Sequence, residues 1–167
     1  MARLFSAIIP SAEAIGHLAA RDRPDLPGLR WTPPERWHVT LGFFGDDDDP
    51  RRRGNWLTRR ATGLAAPRLR LAGSGMLGTV LWVGVAPDTD IDRAALAKLA
   101  RAGGAGRRGF RAHLTVARWR TGVPDRRRLR ELFAGYAGPW FTPAELVLME
   151  SAHSTYTPLL RLPLTGA

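Results

Sequence analysis

The 167-residue sequence contains no cysteine, which excludes disulfides, thiolate nucleophiles and cysteine-ligated zinc sites. Lysine is almost missing too, since every basic residue except Lys98 is an arginine. Long hydrophobic runs are also scarce: the apolar stretch near the N-terminus is interrupted at Pro10 and is too short for a membrane-spanning helix. We therefore expect a cytoplasmic protein with no membrane partner, and we expect it to be a monomer.

Basic residues outnumber acidic residues by 25 to 15 and give a formal net charge of +10. This balance favours a polyanionic partner such as a nucleic acid. Biased codon usage would explain arginine in place of lysine, but not the excess of positive charge. With 44% hydrophobic and 24% charged residues, the chain has the composition of a globular protein.

Alternating apolar and polar residues predict strands, and capping residues mark the starts of helices. The expected strands are Arg3–Ile9, Trp37–Phe44, Arg68–Ala72, Val80–Val85, Phe110–Trp119, Glu145–Met149 and Tyr156–Leu162. Helices are expected from Ser11 to about Ala20, from Asp49 to about Gly63, from Thr89 or Asp90 to Gly103, and from Asp125 to about Tyr136, with 21–36 as loop. The third helix is expected to bury Ile91, Ala95, Leu96 and Leu99.

The pattern repeats without a linker between its two halves. We therefore expect an α+β fold in which residues 1–167 form a single bilobal domain. Two pseudo-symmetric lobes would each have a largely antiparallel sheet and flanking helices, with an active-site cleft between them.

Two copies of a His-x-Thr motif occur in these strand-like segments, His38-Val39-Thr40 and His113-Leu114-Thr115. On a strand, residues i and i+2 point to the same face, so each histidine shares a face with its threonine. One such motif is typical of a partly buried structural histidine. Two in matching settings indicate a pocket in which two imidazoles and two hydroxyls surround a tetrahedral anion.

Displacement at a phosphodiester by water requires one group that removes a proton and another that supplies one, and histidine titrates near neutral pH. The threonine hydroxyls can donate hydrogen bonds to the nonbridging oxygens. Arg118, five residues beyond His113, is a candidate for contact with the phosphate or for bracing the strand.

The segments WHVTLGFFG and FRAHLTVAR resemble the two signature segments of the two-histidine (2H) phosphoesterases, in particular the bacterial and archaeal RNA 2′,3′-cyclic phosphodiesterases, also called 2′-5′ RNA ligases. RLFSAIIP, TVLWVGVAP and LVLMESAHSTYTPLLRLPL resemble the family's opening strand, central strand and ending, so the resemblance covers nearly the whole chain. One departure is Gly42, where the family usually has a larger residue.

The resemblance implies a bilobal fold and metal-independent hydrolysis of RNA 2′,3′-cyclic phosphate ends to 2′-phosphates, without a cofactor. It implies that His38 is the proton donor to the departing 3′-oxygen and that His113 is the acceptor that activates water. Reversible 2′-5′ ligation would be a side activity. The same residues would also serve small cyclic phosphates or 2′-5′ oligonucleotides, and an alternative of another class is a basic RNA-binding protein without catalysis.

Further residues are candidates for the substrate site or for a structural role. Trp31 and Tyr156, near loops, are candidates for stacking on a base. Phe43 is a candidate for substrate binding, although aromatics on strands, such as Phe43 and Trp37, more often serve packing. His17 and His153 are expected to be solvated.

Two other segments lack the pattern of a ligand site. Asp46 to Asp49 is expected to form a solvated turn and helix cap, because consecutive carboxylates do not converge on a metal. The glycine-rich stretch 103–109 lacks the Gly-Lys-Ser/Thr ending of a triphosphate-binding loop, and we expect a mobile loop that carries Arg107 and Arg108.

Overall fold

The computed structural model describes residues 2–106, 109–120, 122 and 125–167. The described strands are β1 (Arg3–Ile8), β2 (Leu29–Trp31), β3 (Val39–Asp46), β4 (Leu69–Leu77), β5 (Val80–Pro87), β6 (His113–Trp119), β7 (Glu145–Ala152) and β8 (Thr155–Pro163). The described helices are α1 (Ala12–Ala19), α2 (Pro50–Ala61), α3 (Asp90–Ala102) and α4 (Arg126–Leu132), with one 3-10 turn at Pro34–Arg36.

The eight strands form one sheet in the order β4-β5-β6-β3-β1-β7-β8, and β2 pairs with β6. Every ladder between these strands is antiparallel. The two halves of the sheet meet between β3 and β6, where a single pair, Val39 with Leu114, joins them. The expected α+β class with an antiparallel sheet is confirmed.

The two faces of the sheet have different environments. Along β1, Leu4 and Ile8 point into the large hydrophobic core with buried residues of α1, α2 and α3. Phe5 and Ala7 point to the opposite face and pack with Val147 and Met149 of β7 in a much smaller cluster. The helices therefore cover one face, while the other face remains available for a cleft.

The predicted N-caps agree with the structure. Ser11 caps α1, Asp49 caps α2 and Asp125 caps α4, each through its side-chain oxygen. Thr89 caps α3 and forms a capping box with Asp92.

Several predicted boundaries are wrong. Strand β6 begins at His113 rather than Phe110, because β5 pairs with it only as far as Gly84 opposite His113. Helix α4 ends at Leu132 rather than near Tyr136, and the chain turns away at Gly135, whose φ is 67°. Ile91, predicted to be buried, is 82% exposed because it lies in the first turn of α3, before the helix reaches the core.

The segment 21–36, predicted to be loop, contains strand β2 and the 3-10 turn. Such a short strand exists because Leu29–Trp31 pairs with Ala117–Trp119 of β6. Arg107 and Arg108, which we expected on a mobile loop, lie outside the described residues. None of the helices in the part of the chain that the structure describes has the length and apolar character needed to cross a bilayer.

Gly42 is required where β3 passes the C-terminal end of α3. A Cβ atom at this position would overlap the Gly103 carbonyl oxygen and would lie 2.9 Å from the Gly104 Cα atom. The Ser6 hydroxyl donates to that same carbonyl and accepts from the Gly42 amide, at 3.0 Å for the latter bond. The absence of a side chain at Gly42 therefore lets α3 end directly against the sheet.

We predict that Gly42→Ala lowers the free energy of unfolding by about 1–3 kcal/mol, because the added methyl group meets backbone atoms that cannot rotate away. Urea denaturation would measure the change. Gly16→Ala is the matched control: nothing lies within 4 Å of its added methyl group on α1, so stability should rise by about 0.5–1 kcal/mol. Equal stability of Gly42→Ala and the wild type would contradict the close approach of α3.

Candidate active site

The pairing of Val39 with Leu114 brings the two His-x-Thr motifs together. Both of these residues are fully buried in the core, so the residues on either side of them point to the opposite face of the sheet. Because the strands are antiparallel, the same register sets His38 across from Thr115, and Thr40 across from His113. The four side chains therefore lie together on one face of the sheet.

A bulge in β3 determines which later residue of the strand shares the face of His38 and Thr40. Thr40 and Gly42 both have partners on β1, but Leu41 between them has none, and both Leu41 and Gly42 are buried. The extra residue changes the phase of the alternation. As a result Phe43, an odd number of positions after His38, lies on the cleft face with it.

Strand β6 carries the equivalent bulge. Thr115 and Ala117 have partners on β5, Val116 between them has none, and both Val116 and Ala117 are buried. Arg118 therefore returns to the face of His113 although the two are five residues apart. The two motifs thus share one backbone pattern: histidine, threonine, bulge and a further cleft residue.

Each histidine is oriented in the same way by its own strand. The Nδ1–H group of His38 donates to the Arg36 carbonyl oxygen at 2.8 Å, and that of His113 donates to the Arg111 carbonyl oxygen at 2.8 Å. A carbonyl oxygen can only accept, so Nδ1 carries the proton in both rings. Nε2 is left as the atom that can accept or release a proton.

The two imidazoles have different surroundings. His38 packs against the Phe5 ring at 4.8 Å and the Tyr156 ring at 5.3 Å between centroids, whereas His113 is exposed beside Trp82 at 6.2 Å. Burial lowers the pKa of His38, and the positive charges of Arg118, His113 and Arg36 lower it further, against the raising effect of the hydrogen bond to Arg36. Without a ligand, His38 is therefore biased toward its neutral form.

The array lies in a cleft of about 420 Å³. Its lining contains four arginines and no carboxylate among the described residues, so its potential is positive and suits an anion. The residues that line it are Arg3, Phe5, Arg30, Trp31, Thr32, Arg36, His38, Thr40, Phe43, His113, Thr115, Arg118, Ser151 and Tyr156.

The structure places all eight residues named from the sequence, His38, Thr40, His113, Thr115, Arg118, Phe43, Tyr156 and Trp31, in this lining. Phe43 is 61% exposed, so the packing role considered for it is wrong, whereas Trp37 is buried in the core. The Trp31 indole donates to the Pro24 carbonyl oxygen, which fixes its ring. One face of the Tyr156 ring is covered by the Arg36 guanidinium, at 5.5 Å from the centroid.

The other two histidines do not line the cleft. His153 is exposed in the turn between β7 and β8, as expected. His17 is exposed on α1, as expected, and its Nδ1 atom lies 2.9 Å from the Tyr136 hydroxyl, with which it forms a hydrogen bond.

Sequence reasoning missed several cleft residues: Arg3, Phe5, Arg30, Thr32, Arg36 and Ser151, together with Trp82 beside His113. For two of them the sequence contained a feature that could have predicted the position. Phe5 alternates with the core residues of β1, and Arg36 lies two residues before the first histidine. The others reach the cleft through strand pairings that a single sequence does not reveal.

Within residues 2–106, 109–120, 122 and 125–167, no group of three or more His, Asp or Glu side chains is placed to hold a metal ion. The Asp46–Asp49 run has other partners. Asp49 caps α2, Asp48 pairs with Arg52 and Arg53, and Asp46 pairs with Arg3.

Comparison with known proteins agrees with this geometry. The family model described as LigT-like phosphoesterase matches residues 9–82. No curated protein sequence matches the chain.

Solved structures match over almost the full chain. The protein TT0787 of Thermus thermophilus aligns at 22% identity with a TM-score of 0.68, and the alignment covers 98% of both chains. E. coli LigT complexed with 3′-AMP aligns at 23% identity, TM-score 0.66, with 98% of both chains covered. E. coli LigT complexed with phosphate aligns at 21% identity, TM-score 0.66, covering 98% of this chain and 97% of LigT.

These matches confirm the resemblance that the two motifs predicted. The family model covers residues 9–82, which include the first of the two motifs, and over nearly its whole length the chain has the fold of E. coli LigT.

Proposed function

We propose that this chain hydrolyses RNA 2′,3′-cyclic phosphate ends to 2′-phosphomonoesters by acid/base catalysis between His38 and His113. The family match is consistent with a phosphodiesterase. The observation that carries the finer proposal is the array of two imidazoles and two hydroxyls that the pairing of Val39 with Leu114 sets on one face.

In the proposed reaction, water attacks the phosphorus atom of the cyclic phosphate. His113 Nε2 accepts the proton of this water as the new P–O bond forms. The bond from phosphorus to the 3′-oxygen breaks, and His38 Nε2 delivers a proton to that oxygen, leaving the phosphate on the 2′-oxygen. Both Nε2 atoms are available because the Nδ1–H groups are bound to backbone carbonyls.

The threonines and Arg118 complete the proposed site. Thr40 and Thr115 lie on the face of the histidines and supply hydroxyl donors for the nonbridging oxygens, on which negative charge grows in the transition state. Arg118 adds a guanidinium on the same face, which attracts the phosphate. Phe43, Trp31 and Tyr156 supply aromatic surface in the cleft for a nucleoside.

The electrostatics of His38 suit a donor that becomes charged when the substrate binds. In the free site its pKa is lowered by burial and by neighbouring positive charges. A phosphate anion beside the ring offsets those charges and raises the pKa of His38. The proton would then be present on Nε2 when the 3′-oxygen has to leave.

The matching structures support the substrate class. Structures of E. coli LigT are described as complexes with phosphate and with 3′-AMP. A cleft of about 420 Å³ that is rich in arginine is of the size that small-molecule ligands occupy. We therefore place a nucleotide phosphate at the centre of this cleft.

Incubation with a cyclic-phosphate-ended oligonucleotide in excess chelator should give a 2′-phosphate product at an undiminished rate, because the imidazoles supply both proton transfers. Chromatographic comparison with 2′- and 3′-phosphate standards would identify the product. Loss of turnover that added manganese or zinc restores would sink metal independence, and a 3′-phosphate would reverse the assigned bond cleavage. Turnover of a cyclic mononucleotide alone would favour small cyclic phosphates.

His38→Ala and His113→Ala should each lower kcat by roughly 10²- to 10⁴-fold while RNA affinity changes little, because each removes one general acid or base. The double variant should lose less than the product of the single losses. His17→Ala and His153→Ala are the matched controls outside the cleft. Full turnover by a folded His38→Ala protein would contradict the mechanism, and RNA binding without any turnover in the wild type would favour the non-catalytic RNA-binding alternative.

The pKa of His38 should lie below its ordinary value in the free protein and should rise when inorganic phosphate is added. Arg118→Gln should also raise it in the free protein, because one of the neighbouring positive charges is lost. NMR titration of the imidazole resonances would measure both changes. A His38 pKa that responds to neither phosphate nor Arg118→Gln would contradict the electrostatic coupling.

A further inference from the structure

A second basic cavity adjoins the cleft that holds the two histidines. It has a volume of about 430 Å³ and is lined by Gly28, Arg30, Thr79, Arg118, Trp119 and Arg120. We call it the side cavity. Arg30 and Arg118 line both the side cavity and the cleft, so the two spaces share part of their walls. A ligand in the cleft therefore lies beside two arginines that also face the side cavity.

The arginines of the side cavity bring like charges close together, which destabilises the sheet. Arg30 and Arg118 are directly opposite each other in the ladder between β2 and β6, an arrangement in which like charges destabilise a sheet. Arg120 follows Arg118 on the same face of the chain, because the buried Trp119 lies between them. Three guanidinium groups therefore lie around one cavity.

The carboxylates that the structure describes do not neutralise this charge. Elsewhere arginines such as Arg3, Arg53 and Arg161 form ion pairs with aspartate or glutamate. In the part of the chain that the structure describes, none of the ion pairs involves the three arginines of the side cavity. No acidic residue is among the described residues that line it. The natural partner of such a group is an anion supplied by a ligand.

We propose that the side cavity binds the phosphate on the 5′ side of the terminal nucleotide, so that this protein recognises a phosphorylated chain end rather than an isolated cyclic phosphate. The inference rests on the proposed function, which places the cyclic phosphate between His38 and His113. In an RNA end the next phosphodiester is attached to the 5′-oxygen of the ribose that carries the cyclic phosphate. Because Arg30 and Arg118 face both spaces, we place that phosphodiester in the side cavity.

The proposal is tested with two matched substrates, adenosine 2′,3′-cyclic phosphate with a free 5′-hydroxyl and the same compound with a 5′-phosphate. In the wild type the 5′-phosphate should raise kcat/KM by roughly tenfold, the value of one charge-assisted contact. Arg120→Gln should remove most of this advantage and leave turnover of the 5′-hydroxyl compound unchanged, since Arg120 lines only the side cavity. Arg59→Gln, which removes an exposed arginine of α2, is the control for general charge.

Equal kcat/KM for the two compounds in the wild type would overturn the proposal. So would a loss in Arg120→Gln that is the same for both compounds or the same as that in Arg59→Gln. Calorimetric binding of adenosine 2′-phosphate and adenosine 2′,5′-bisphosphate separates this result from failure of the proposed function. The bisphosphate should bind roughly tenfold more tightly and should lose that advantage in Arg120→Gln, even if neither cyclic compound is hydrolysed.

Discussion

The pairing of Val39 with Leu114 is the contact on which the cleft depends. It is the one ladder pair between β3 and β6, and it joins the two halves of the sheet. Both side chains are fully buried, so the register is held by the hydrophobic core on the far side. A slip of one residue in either strand would turn its histidine and threonine toward that core. The packing of the core therefore holds the register on which the geometry of the site depends.

The two motifs share one backbone pattern but occupy different electrostatic environments. Each histidine is held by a carbonyl two residues before it, and each strand has a bulge after its threonine. The asymmetry comes from the neighbours: Phe5 and Tyr156 enclose His38, whereas His113 remains exposed. Equivalent backbone positions thus hold two imidazoles in different environments, and burial and nearby positive charge lower the pKa of His38.

The parts of the site that follow regular alternation could be predicted from the sequence, and the parts that depend on irregular pairing could not. His-x-Thr spacing was enough to place each histidine beside its threonine. Regular alternation would put Phe43 and Arg118 on the core face, because each lies an odd number of residues after its histidine. The bulges reverse this, and they arise from pairing with β1 and β5. Strand β2 escaped prediction for the same reason, since three residues form a strand only with a partner.

Repulsion between the arginines of the cleft destabilises the folded sheet. Burial of apolar side chains on the opposite face of the same strands offsets that cost. Arg118 lies between Ala117 and Trp119, both of which are buried in the main core, and Arg30 follows Leu29, which packs against that core. Fully burying a large apolar side chain contributes about 1.5–3 kcal/mol, more than the repulsion of two exposed guanidinium groups in water. The sheet can therefore hold like charges opposite each other on one face. Two effects therefore favour the binding of an anion there: it removes the repulsion between the arginines, and it forms contacts of its own with them.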